Sequence, residues 1–106
     1  MKNQQIKISN INIFPVAQQE TLLGFGSCVV NEVLRISGIA LHTTLQGQLK
    51  ICFPAKKISR GLTFYIQPLD SETSELFRSA FEEEAKKVGL FNLGLENEKE
   101  NQTQDN

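Results

Sequence analysis

The sequence predicts an α+β domain, a small antiparallel β-sheet of about five strands with one C-terminal α-helix packed on it. Three observations carry that prediction. Short runs of apolar residues, several alternating with polar ones, recur from Ile6 to Gln67; Gly, Pro and Asn punctuate them; and the one clear helical spacing begins after Asp70. With 106 residues, 40% of them apolar and 22% charged, the chain can bury one modest core without disulfide staples and has no room for a separate cofactor domain.

Residues 6–15 (IKISNINIFP) read as the first strand. Ile6 and Ile8 alternate with polar residues, then Ile11 and Ile13 alternate in the opposite phase, which requires either a bulge near Ser9-Asn10 or a strand apolar on both faces. Residues 17–21 read as a polar turn. Residues 22–30 (LLGFGSCVV) form the second strand, where Gly24 and Gly26 share one face and leave a strip that the helix or a partner can approach, unless they serve only strand coiling. Asn31-Glu32 makes a turn into residues 34–43 (LRISGIALHT), so the second and third strands form an antiparallel hairpin.

After a turn at Gln46-Gly47, Leu49, Ile51 and Phe53 fall on one face of the fourth strand and Lys50 and Cys52 on the other. Pro54 has no donor for the ladder and ends it. Residues 55–62 (AKKISRGL) read as a basic loop, and residues 63–67 as a fifth short strand closed by Pro68.

The helix has the strongest signals. Asp70 or Ser71 offers an N-cap side chain, Glu72 and Glu75 lie in or beside the first turn, Lys86 and Lys87 fall in the last, and Gly89 supplies the stop. Leu76, Phe77, Ala80, Phe81, Ala85 and Val88 fall on one face. Burying two Phe and one Leu there contributes roughly 5 to 8 kcal/mol before entropy is counted. Residues 1–95 thus form a single domain with a short apolar segment after the helix, and residues 96–106, which hold no apolar residue, form a disordered polar tail.

The chemistry of common enzyme classes is missing from the sequence. There is one histidine, and no GxSxG, P-loop, GxGxxG, HExxH or EF-hand spacing, so the chain reads as non-enzymatic, with no cofactor and no metal site. His42 has no acid or thiol beside it and reads as a partly exposed strand residue. Glu82-Glu83-Glu84 reads as a solvated helix face, with Glu82 and Glu83 paired to Lys86 and Lys87 at i,i+4. Cys28 and Cys52 lie in apolar runs outside any CxxC and read as buried free thiols. The first residues contain no apolar leader and no stretch approaches the ~20 apolar residues that span a bilayer, so a cytoplasmic protein without membrane contact is expected.

Charge is divided along the chain. Residues 1–69 hold seven cations against Glu20 and Glu32, a net +5, whereas the remainder holds four cations against ten acids, a net −6. A total of −1 gives no global field to draw the protein onto nucleic acid, so any such site is local. The candidate is Lys50 with the stretch 54–61, in which Lys56, Lys57 and Arg60 stand beside Ser59 and Gly61: cations neutralise phosphates and small residues let amides approach. Phe53, Phe64 and Tyr65 are the aromatics available to stack on bases, and at least one of them must face the core.

This order of features resembles the SpoVG (stage V sporulation protein G) family over about residues 6–89. The likeness is carried by IKISNINIFP, GFGSCVVNEVLRISGIAL, KICFPAKK and FYIQPLDSET, most specifically by the run from Pro54 to Thr73. The resemblance implies a small antiparallel sheet with one helix, a homodimer formed through sheet edges or extended strands, and site-preferring binding of DNA or RNA in the control of septation, sporulation or virulence genes. Lys56 and Lys57 match the family's basic pair, and Asp70, Ser71 and Thr73 its helix cap. Two departures remove cations: Ser74 and Leu76 stand where many members carry basic residues, and the loop ISRGL lacks the usual acidic and glycine pattern. The expected function is a non-enzymatic regulator that binds nucleic acid as a dimer through Lys56, Lys57, Arg60, Lys50 and Arg78. The competing expectation is a protein-interaction module that uses an edge strand or the Gly24/Gly26 face, to which nucleic acid is incidental.

Overall fold

The computed structural model describes residues 6–90, and these form an α+β fold. Strands β1 (Ile8–Gln19), β2 (Leu22–Val30), β3 (Leu34–Thr43) and β4 (Leu49–Cys52) make one antiparallel sheet in the order β1-β2-β3-β4. Strands β5 (Ala55–Ile58) and β6 (Gly61–Phe64) form a separate antiparallel pair, and helix α1 (Ser71–Lys87) follows. The described residues therefore hold six strands, not about five. The helix lies on one face of the larger sheet against β1 and β4. The segment after Leu90 and the tail 96–106 lie outside the described residues.

The phase slip in the first strand is a bulge: the β1–β2 register shifts between Ser9 and Asn12, and Asn10 takes a left-handed φ of 48°. The strand does not stop at Pro15. It continues to Gln19 with a second irregularity, and the polar turn expected over 17–21 shrinks to Glu20-Thr21. Proline is tolerated here because β1 is an edge strand, where a missing donor need not break a ladder on both sides.

The hairpin β2–β3 forms as expected, with Asn31 and Glu32 both left-handed at φ 50° and 60°. Asn31 suits that conformation and ties it down: its amide donates to the Lys7 carbonyl at 2.8 Å, and its Oδ1 accepts from the Lys7 amide at 2.7 Å. Glycine answers two close approaches. A Cβ on Gly26 would stand 2.6 Å from the Phe81 ring, and one on Gly24 would stand 2.6 Å from the Phe14 carbonyl oxygen. The glycine strip is thus taken up inside the chain, by the helix at Gly26 and by β1 at Gly24.

Helix α1 begins where the capping signals place it, with the Asp70 carboxylate accepting from the Thr73 amide at 2.7 Å. It ends with the Val88 and Gly89 amides closing on the Glu84 and Lys86 carbonyls, Gly89 at φ 79°. Phe77, Phe81 and Ala85 are buried against Leu23, Cys28, Ile36, Ile39, Leu41 and Leu49. Leu76 and Val88 are exposed, so the buried stripe is narrower than the sequence spacing suggests. Phe53 meets Phe77 edge to face with ring centroids 5.2 Å apart.

Among the described residues, one face of the sheet has no helix. Phe14, Phe25, Ala40 and Cys52 are direct cross-strand partners through all four strands and therefore share a face. The adjacent row, Ile13-Gly26-Ile39, faces Phe81, which puts Phe14 and Phe25 on the opposite side. Phe14 is 59% exposed and Phe25 41%.

Candidate nucleic-acid interface

The segment expected to be a basic loop is a β-hairpin. Lys56 pairs with Thr63, Lys57 with Leu62 and Ile58 with Gly61, so Ser59-Arg60 is a two-residue turn and Gly61, at φ 127°, supplies the permissive backbone beside it. The amide of Tyr65 donates to the Pro54 carbonyl at 3.0 Å and lengthens the ladder by one bond. The expected fifth strand over 63–67 is corrected to Gly61–Phe64, one half of this hairpin.

No backbone of β1–β4 or α1 comes close to β5 or β6. The hairpin is rooted at its base, where Phe53 on entry and Ile66 on exit pack against the core. Beyond those roots Ile58, Leu62, Phe64 and Tyr65 are exposed, along with Lys56, Lys57 and Arg60. Of the three aromatics considered for stacking, Phe53 is used by the core, while Phe64 and Tyr65 stand on the hairpin.

Strand alternation sorts these side chains. Ala55, Lys57, Leu62 and Phe64 share one face of the hairpin; Lys56, Ile58, Thr63 and Tyr65 share the other. The two lysines therefore project to opposite sides, which a flexible loop would not impose. Lys50 is elsewhere: it pairs with His42 on the helix-free face of the main sheet, beside Cys52. There the His42 Nδ1 lies 3.0 Å from the Thr21 hydroxyl, and Glu20, Thr43, Thr44 and Leu45 complete an open trough.

Arg78 is committed within the chain. Its guanidinium donates to both Glu75 carboxylate oxygens at 3.0 and 2.8 Å, to Glu82 at 3.2 Å and to the Leu49 carbonyl at 3.4 Å. Those bonds hold the Glu75 carboxyl below its usual range and push the Arg78 guanidinium up. Glu82 thus faces Arg78 and not Lys86, and Lys87 reaches Glu84 at 3.9 Å in place of Glu83. By contrast, none of Lys50, Lys56, Lys57 and Arg60 has a carboxylate within ion-pair distance among the described residues.

Both cysteines are free. Cys28 is buried, and burial raises its thiol pKa against the smaller opposing effect of Arg35; Cys52 is only half-buried, on the helix-free face. Among the described residues no three His, Cys, Asp or Glu side chains gather as a metal site, and no helix is long and apolar enough to cross a membrane. Comparison with protein-family models and with curated protein sequences finds no match.

Proposed function

We propose that the protein is a non-enzymatic, dimeric nucleic-acid-binding regulator of the kind its sequence resembles, and that the β5–β6 hairpin is its phosphate-contacting arm. One observation carries this reading: a ten-residue β-ribbon stands off the body with three cations and no acid on it. Among the described residues Lys56, Lys57 and Arg60 have no carboxylate to release before they meet a phosphate, which separates them from Arg78. Four-residue strands are about 13 Å long, comparable with the ~12 Å width of a major groove, which admits a two-stranded ribbon. Lys50 adds a cation on the body, and Arg78 serves the helix.

The reading is tested by mobility shift on duplex DNA and on RNA at two salt concentrations. Each lysine that meets a phosphate contributes about 0.9 to the slope of log affinity against log salt. Lys56→Ala/Lys57→Ala is expected to weaken binding at least tenfold and flatten the slope; unchanged affinity and slope would remove both residues from the site. The protein-interaction reading is favoured by a different observation, the exposed Phe14 and Phe25 on the helix-free face. Pull-down after nuclease treatment separates the two, because a protein partner persists.

A further inference from the structure

We propose that two copies of this chain join reciprocally, the β5–β6 hairpin of each lying on the helix-free sheet face of the other. The proposal rests on the dimer of the reading above and supplies its interface. It starts from two unpartnered surfaces on one chain. The first is the hairpin, whose backbone approaches no other strand or helix among the described residues and which presents Leu62 at 61% and Phe64 at 39% exposure from one of its faces. An isolated two-stranded hairpin is marginal in water, and it gains stability when a third strand or an apolar layer supports it. The second is the row of Phe14, Phe25, Ala40 and Cys52, a sheet face that no described residue covers with the second layer sheets ordinarily pack against.

Each surface supplies what the other lacks. Two different complementary patches on one chain generate an open filament if joined head to tail without closure, whereas a two-fold axis satisfies both pairs at once and stops growth. Phe14, Phe25, Leu62 and Phe64 from two copies are eight side chains carrying roughly 100 Å² of exposed apolar surface each, a fraction of the full area of such residues. With the polar rim around them, that approaches the ~1,200 Å² at which specific interfaces begin.

The hairpin's alternation keeps this compatible with phosphate binding. Seating the Leu62/Phe64 face turns the Lys56 face outward, and the turn residue Arg60 stays at the tip. Lys57 shares the seated face and reaches solvent at its margin by extending its long stem. The chain's own apolar segment after the helix is a poorer occupant of this face, because α1 and Leu90 lie on the other side of the sheet.

The test is sedimentation equilibrium on the full chain and two single variants, Phe25→Glu and Leu62→Glu, with circular dichroism to verify folding and the Ala substitutions used if a Glu variant unfolds. The wild-type chain is expected to be a dimer, and each variant is expected to weaken it at least tenfold. The diagnostic sample is the mixture. A heterodimer of the two variants keeps one intact arm, the wild-type hairpin of one copy on the wild-type face of the other, so mixing two monomeric variants is expected to restore dimer. A dimeric Leu62→Glu protein, a dimeric Phe25→Glu protein, a monomeric wild type, or a mixture that stays monomeric would each overturn the proposal. Lys56→Ala/Lys57→Ala reads the nucleic-acid assignment separately, since loss of binding by a protein that is still dimeric leaves this interface standing.

Discussion

Phe81 and Phe64 are the same side chain in opposite situations. Phe81 has no exposed surface and projects from the helix onto Gly26, whereas Phe64 is 39% exposed on a ribbon whose backbone approaches no other strand or helix among the described residues. The four-stranded sheet and its helix are stabilised from within, by one face buried against one apolar stripe. The hairpin has backbone hydrogen bonds and two roots, Phe53 and Ile66, but no core of its own. The two regions thus differ in what holds them: the body draws its folding free energy from a core, whereas the arm leaves its cations and apolar side chains exposed.

The largest expected effect tests the body. Phe81→Ala removes a fully buried ring and leaves a cavity that the adjoining sheet cannot easily fill, costing about 3–5 kcal/mol. Set against the 5–15 kcal/mol typical of a whole domain, that is enough to unfold much of the population at 37 °C. Urea denaturation followed by circular dichroism measures it. A loss below about 1 kcal/mol would mean that the helix is not the layer that closes the sheet.

Turns sharpen the comparison on a smaller scale. In the body, the β2–β3 turn holds Glu32 at φ 60°, a conformation that favours glycine, beside an Asn31 hydrogen-bonded to the Lys7 backbone. In the hairpin, the comparable backbone freedom is given to Gly61. Glu32→Gly is expected to stabilise the protein by about 0.5–1 kcal/mol, the relief of strain exceeding the added unfolded-state entropy and the loss of an exposed 3.7 Å pair with Lys7. The melting temperature should rise by roughly 2–8 °C. No change would show that the turn carries no strain to relieve.

The two regions also differ in how much of them the sequence reveals. Strands β2 and β3 are legible to the residue and the helix to within a residue or two, because the turn at Asn31-Glu32, the cap at Asp70 or Ser71 and the stop at Gly89 are local signals acting on neighbouring backbone. The bulge at Asn10 is legible as a phase slip in the isoleucines. The hairpin is not. Lys56-Lys57-Ile58-Ser59-Arg60-Gly61 has no alternation to mark a strand, because neither of its faces is buried, and its glycine follows the turn and does not occupy its centre. The site shares that limit: composition identifies Lys56, Lys57 and Arg60 as a basic cluster, but only the register shows the two lysines on opposite faces. Arg78 needed two kinds of information. Glu75 and Glu82 at i−3 and i+4 are readable on a helix, whereas the Leu49 carbonyl that completes its shell is brought there by the tertiary fold.

The smallest expected effect lies on the arm. Leu62→Thr introduces a β-branched residue suited to a strand and removes apolar surface that is already exposed, so in dilute protein it should change stability by less than about 0.5 kcal/mol. Hydrogen exchange should report the same asymmetry, with hairpin amides opening locally while those of β2 and β3 need far larger unfolding. Concentration is the lever that makes this small effect informative. A ligand or second copy that binds only the folded form stabilises it by mass action, so a chain supported by a second copy gains stability as protein concentration rises. Wild-type and Leu62→Thr proteins should therefore melt together when dilute and separate when concentrated, the wild type rising further. Melting curves that stay superimposed from dilute to concentrated protein would assign Leu62 to open solvent in every state of the molecule.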